Sequence, residues 1–97
     1  LTIVYGIMAD KDLAGIAPLM PPAEYILVAP DIPRAMPAGV LRERLSALRP
    51  DLPLQTAPSV ADGISLALGS AGDRLIYIGG STFVVTAAIE YFNNRQP

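Results

Sequence analysis

The 97-residue sequence contains neither cysteine nor histidine. Without cysteine there are no disulfide bonds or thiolate metal sites, and without histidine the common zinc sites and histidine-based catalysis are excluded. Long apolar runs are also missing: none approaches the roughly 18–20 residues of a membrane span, and no basic region leads into an apolar segment at the start. We therefore predict a soluble, cytoplasmic protein with no membrane contact and no metal site of its own.

Positive charge is scarce as well. Seven lysines and arginines stand against nine acidic residues, for a net charge of −2. This balance argues against nucleic acid as a partner. Four of the cations lie near one predicted helix: Arg34, Arg42, Arg44 and Arg49. An acidic residue stands among them and no aromatic residue is interleaved, so we interpret the four arginines as a solvated face.

Apolar residues, in contrast, make up 52% of the sequence, and the mean hydropathy is +0.41. This is high for a small domain, which indicates a sheet covered on both faces or a surface that meets another domain. The length suits one domain spanning residues 1–97.

Four apolar runs, each followed by a helical pattern, predict parallel strands joined by helices. The predicted strands are Leu1–Met8, Tyr25–Ala29, Pro53–Ala57 and Arg74–Ile78. The third is short and half polar, which favours an edge position. We expect a three-layer α/β/α sandwich with a mainly parallel sheet of about four strands, arranged in the order of the chain.

The predicted helices follow from capping residues and apolar spacing. Asp12 caps the first helix, which Pro18 bends or shortens. Pro37 opens the second, and the last runs from Ser81 to about Phe92. Ser59 caps a third that runs from Val60 to about Leu68 and is terminated by Gly69 with Gly72. The inward side chains of the first three are predicted to be Leu13, Ile16, Ala17, Met20, Val40, Leu41, Leu45, Leu48, Val60, Ile64 and Leu68.

Polar loops follow three of the strands, and in a parallel sheet they open onto one edge, where ligands bind. The candidate ligand-binding residues in these loops are Asp10, Lys11, Asp12, Arg34, Ser81 and Thr82. Such a set suits an anion that carries an amino group. Two alternatives remain open. The aspartates and Ser81 could only cap helices, and the two cations could be solvated loop charges. No nucleophile is paired with a base, so we predict a binding half-site without catalytic residues.

The order of these motifs is specific. A strand ending Gly6-Ile-Met-Ala-Asp-Lys-Asp12, then Pro33-Arg-Ala35, then Gly79-Gly-Ser81 before an apolar helix resembles the C-terminal domain of the folylpolyglutamate synthase/dihydrofolate synthase family, in the Mur ligase superfamily. The resemblance spans almost the whole chain. It departs from the family at the turn, where Gly-Gly-Ser-Thr-Phe stands in place of Gly-Ser-Leu-Tyr.

The resemblance implies an ATP-dependent amide ligase. Members of the family phosphorylate a folate or pteroate carboxylate to an acyl phosphate, which the amino group of L-glutamate attacks, with magnesium required. By this resemblance the chain is the C-terminal glutamate-binding portion of a larger enzyme and lacks the family's first strand and its ATP-binding central domain. Lys11 and Ser81 are expected to contact glutamate, with Arg34 as a further candidate, while folate or dihydropteroate, ATP and magnesium reach the chain through the missing domain.

One function of another class fits the same residues. A non-catalytic α/β module could bind a small anion or a nucleotide at this edge without closing on a partner domain. In either case we expect no cofactor bound tightly to the isolated chain.

Overall fold

A computed structural model of the chain describes residues 2–71, 76–79 and Ile89. The strands are β1 (Thr2–Tyr5), β2 (Glu24–Leu27), β3 (Leu54–Thr56) and β4 (Ile76–Gly79). The helices are α1 (Leu13–Ile16), which a 3-10 turn (Ala17–Leu19) continues, α2 (Ala38–Leu48) and α3 (Val60–Ala71). The helix predicted for residues 81–92 lies outside the described residues, apart from Ile89. None of the helices in the described ranges is long and apolar enough to cross a membrane.

The four strands form a parallel sheet in the order β3-β2-β1-β4. β1 pairs along its whole length with β2 on one side and with β4 on the other. The parallel sheet of four strands and the edge position of β3 are thus confirmed. The predicted sequential order is wrong, because after α3 the chain passes β1 and adds β4 on its far side.

Alternating side chains of the central strands build two cores. On one face Ile3, Tyr25 and Leu27 pack with the apolar residues of α1 and α2. On the other face Val4 and Ile26 pack against α3. Because successive residues of a strand point to opposite faces, one strand of four residues contributes to both layers of helices. The three-layer sandwich predicted from the sequence is confirmed.

The buried stripes of α2 and α3 differ from those predicted. α2 buries Leu41 and Leu45, and α3 buries Val60, Ile64 and Ala67. Three side chains expected to point inward are exposed instead, namely Val40, Leu48 and Leu68. A side chain at the margin of a helix's apolar stripe points to the side of the sheet and stays in contact with solvent. Helical spacing alone therefore overestimates how many apolar side chains are buried.

The ends of the helices are largely set as their sequences predict. α1 has only four residues before Pro18 turns it into the 3-10 segment, as expected. Ser59 caps α3, since its Oγ accepts from the Asp62 amide at 3.1 Å and donates to Asp62 Oδ2 at 2.9 Å. Pro37, however, is the N-cap of α2 and not its first helical residue. The predicted end of α3 at about Leu68 is also wrong, because the helix passes through Gly69 and continues to Ala71.

Arg49, interpreted above as part of a solvated face, is a structural residue. Its Nη1 donates to the carbonyl oxygens of Ala17 at 2.7 Å and Met20 at 2.8 Å, and its Nε and Nη2 donate to Asp51 at 3.0 and 2.9 Å. The side chain is only 17% exposed. These bonds reach carbonyls at both ends of the 3-10 turn and join it to the end of α2. The spacing of charged residues in the sequence could not reveal this role, because two of the partners of Arg49 are backbone carbonyls.

Helix α3 lies close against the sheet at Gly63. A Cβ there would lie 2.5 Å from Val28 Cγ1, whereas at Gly69, six residues along the same helix, it would meet no atom within 4 Å. We expect Gly63→Ala to lower the free energy of unfolding by about 1–3 kcal/mol through overpacking. Gly69→Ala, the matched control, should raise it by up to about 1 kcal/mol. Denaturant unfolding of both variants measures this, and equal effects would contradict the close contact.

A second prediction concerns Arg49 and Asp51. Arg49→Met should lower the melting temperature more than Asp51→Asn, because it removes the bonds to both carbonyls as well as the ion pair. The hydrogen bond from Arg49 lowers the pKa of Asp51. The stabilisation from this carboxylate is therefore complete above the ordinary aspartate pKa and is lost as pH falls through the lowered value.

Thermal unfolding followed by circular dichroism tests the order of the melting temperatures. The same measurement repeated over an acidic pH series tests the loss of stabilisation by Asp51. Arg44→Met serves as the control, because Arg44 is exposed on α2. If Arg49→Met melted at the same temperature as Arg44→Met, the structural role of Arg49 would be wrong.

Candidate functional site

The carboxyl ends of three adjacent strands lie level with one another. Tyr5 at the end of β1 pairs with Leu27 at the end of β2 and with Gly79 at the end of β4. The predicted polar loops follow these three strands, with the loop after β1 in the middle. Ser81 and Thr82 lie outside the described residues, so their part in the site stays a prediction.

The strand order adds a feature that the sequence did not reveal. From β1 the chain moves to β2 and then β3 on one side, and afterwards to β4 on the other side of β1. The direction of winding therefore reverses between β1 and β4. In open parallel sheets the crevice outside such a reversal is where ligands bind. The loop with Asp10, Lys11 and Asp12 directly follows β1, at this reversal.

Backbone hydrogen bonds tie the loop after β1 to the loop after β2. The Ala9 amide donates to the Arg34 carbonyl at 2.8 Å and the Met36 amide to the Ile7 carbonyl at 2.9 Å, around an antiparallel bridge between Met8 and Ala35. The Met36 side chain is fully buried beneath them. The two loops therefore form one unit anchored in the core. The signal that could have predicted this anchor was Met36 itself, a large apolar side chain in a segment between a strand and a helix.

Two of the predicted site residues meet across these loops. Arg34 Nη2 donates to Asp10 Oδ2 at 3.2 Å. Both side chains are well exposed, at 75% for Arg34 and 61% for Asp10. An exposed pair of this kind contributes only about 0–1 kcal/mol to stability. The ion pair thus orients two side chains at the edge, while the backbone bonds hold the loops together.

Lys11 and Asp12 occupy the turn that leads into α1, and both are exposed. Lys11 forms no ion pair within residues 2–71 and 76–79. Asp12 is the N-cap residue of α1, but its side chain makes no capping hydrogen bond. Its Oδ2 lies 2.6 Å from the position that a Cβ on Gly15 would take, so the absence of a side chain at Gly15 makes room for the carboxylate. The capping alternative for Asp12 is therefore not supported by a side-chain bond.

The charges at this edge are mixed. Two cations and three carboxylates lie in the two described loops, namely Asp10, Lys11, Asp12, Asp31 and Arg34. A purely anionic ligand would meet as much repulsion as attraction, whereas a ligand with both an ammonium and carboxylates could pair with both signs. In the part of the chain that the structure describes, no three acidic side chains are grouped closely enough to hold a metal ion. These residues do not fit a magnesium site.

Comparisons with known proteins give one structural likeness. Neither the protein-family models nor the sequences of curated proteins match the chain. Among solved structures, the chain is similar to Mycobacterium tuberculosis folylpolyglutamate synthase complexed with ADP, with a TM-score of 0.72 and 22% sequence identity. The match covers 99% of this chain and 24% of that protein.

The match extends over nearly the whole described architecture, and the chain spans about a quarter of the length of the protein it resembles. It agrees with the resemblance found in the sequence. The chain therefore has the fold of one part of a folylpolyglutamate synthase.

Proposed function

We propose that the chain is the C-terminal, glutamate-binding portion of an ATP-dependent amide ligase that adds L-glutamate to folate or dihydropteroate through an acyl phosphate. The observation that carries this proposal is the structural match over 99% of the chain to a folylpolyglutamate synthase. That the matched protein is complexed with ADP is consistent with a nucleotide-dependent reaction.

The sheet edge supplies groups suited to glutamate. Lys11, which lacks an ion-pair partner in the described ranges, offers its ammonium to a glutamate carboxylate. Asp12 offers a carboxylate to the glutamate ammonium. Arg34 pairs with Asp10 and can add a second cation at the same edge. Ser81 and Thr82 are proposed to add hydroxyl groups from the segment after β4.

The remaining components of the reaction belong to another part of the enzyme. The sequence has no phosphate-binding Gly-Lys-Ser or Gly-Lys-Thr motif. No group suited to magnesium occurs among the described residues. ATP, magnesium and the folate or dihydropteroate carboxylate would therefore be held by the rest of a larger, cytoplasmic ligase, and this chain would bring the amino acid to the acyl phosphate. Its residues bind and orient glutamate so that the amino nitrogen faces the reacting carbonyl.

Substitution of Lys11 or Ser81 by alanine in the full-length ligase tests this assignment. Each should raise the apparent KM for glutamate about tenfold or more and leave that for ATP nearly unchanged, because a charge-assisted hydrogen bond is worth roughly 1.5–3 kcal/mol. Steady-state kinetics with each substrate varied in turn measures the difference. Arg44→Ala, an exposed residue of α2 away from the edge, is the matched control.

Equal effects on glutamate and ATP would contradict the glutamate assignment. The 97-residue chain alone, incubated with ATP, magnesium, glutamate and a reduced folate, should form no ADP and no lengthened folate. Turnover by the chain alone would overturn the half-site interpretation. Tight binding of an anion or nucleotide by the chain, without any ligase activity in the longer protein, would favour a non-catalytic binding module.

A further inference from the structure

A cavity lies at the opposite end of the molecule from the candidate site. It has a volume of about 310 Å³ and is lined by Arg42, Ser46, Arg49, Pro50, Leu52 and Leu54. These residues belong to the second half of α2, the turn after it and the start of β3. β3 begins at the amino edge of the sheet, whereas Lys11 follows the carboxyl edge of β1. The cavity is therefore separate from the proposed glutamate site.

Polar groups of α2 form one wall of this cavity. Arg42, Ser46 and Arg49 are spaced four and three residues apart, so they follow one face of the helix and its C-cap. Arg42 is exposed and makes no ion pair within the described ranges. The Ser46 hydroxyl lies one helical turn beyond it. The wall thus presents a guanidinium group and a hydroxyl group that are available to a ligand.

Arg49 is already engaged. Four of its five N–H groups are accounted for by the bonds to Ala17, Met20 and Asp51. Its charge is balanced by the Asp51 carboxylate at 2.9 Å. The net charge of the three ionised groups at this wall, Arg42, Arg49 and Asp51, is therefore +1. A single negative charge is the most that this wall compensates, because the negative end of the α2 dipole opposes any anion here and opposes a dianion more than a monoanion.

The other wall is apolar. Leu52 is buried and Leu54 is half-buried, and Pro50 adds a third apolar group. An apolar body against these side chains would remove hydrocarbon surface from water. The two walls together favour an amphipathic ligand with one charged end.

We propose that this cavity binds a small apolar carboxylic acid as its monoanion. The carboxylate accepts hydrogen bonds from Arg42 and from the Ser46 hydroxyl, and the apolar body packs on Pro50 and Leu54. Because Arg42 is solvated and the ligand is small, the dissociation constant should fall in the millimolar range. The proposal is independent of the glutamate site.

The test uses 4-fluorobenzoate as the probe and follows its fluorine NMR signal as the chain is added. Saturable broadening or shift is expected for 4-fluorobenzoate, and at least about fivefold weaker binding for the neutral 4-fluorobenzamide. Inorganic phosphate should compete weakly or not at all. If the amide bound equally well, or if phosphate bound more tightly than the carboxylate, the monoanion assignment would be overturned.

Four variants locate the site. Arg42→Gln should weaken binding about fivefold to tenfold and Ser46→Ala about twofold to threefold, both without loss of folding because both side chains are exposed. Arg44→Gln removes an identical charge two residues away on α2, and Lys11→Ala removes the cation of the other site; both should leave the dissociation constant within about twofold. Equal weakening by Arg42→Gln and Arg44→Gln, or weakening by Lys11→Ala, would contradict this location.

Discussion

The pairing of β1 on both of its edges is the constraint on which the rest of this structure depends. Four residues, Thr2–Tyr5, hydrogen-bond to β2 and β4, and their side chains enter the cores on both faces of the sheet. The same strand delivers the loop with Lys11 to the point where the winding of the sheet reverses. A change in its register by one residue would exchange the two faces and displace this loop.

The positions of the loops at the candidate site follow from this arrangement of strands, and the charged side chains contribute little to holding the loops there. Backbone bonds between the segments that contain Ala9 and Arg34, with Met36 buried below, hold the two loops in place. The exposed ion pair of Asp10 and Arg34 is then free to exchange partners with a ligand at small cost, because it stabilises the fold little. A backbone fixed by hydrogen bonds, with charged side chains whose own ion pair is weak, suits the binding of a zwitterion.

Local rules predicted much of the fold. The apolar run of β1, the shortening of α1 by Pro18 and the cap made by Ser59 were all predicted, because each depends on neighbours in the sequence. The order of the strands was not, since it depends on which side of β1 the chain passes after α3. The role of Arg49 was missed for a similar reason: its carbonyl partners at Ala17 and Met20 lie about thirty residues away. At the site, the positions of the loops predicted that Asp10 and Arg34 share one edge of the sheet, whereas their ion pair and the backbone bridge beneath them became visible only in three dimensions.

The reversal in the strand order also bears on the sequence of events in folding. β1 and β2 are close along the chain, and so are β2 and β3, whereas Thr2 pairs with Ile76 across three-quarters of the sequence. Closing so long a loop has the largest entropy cost of the three pairings, and it becomes favourable once the nearer contacts exist. The crevice between β1 and β4 is thus expected to be completed last. A ligand that occupies it would bind only chains whose fold is finished.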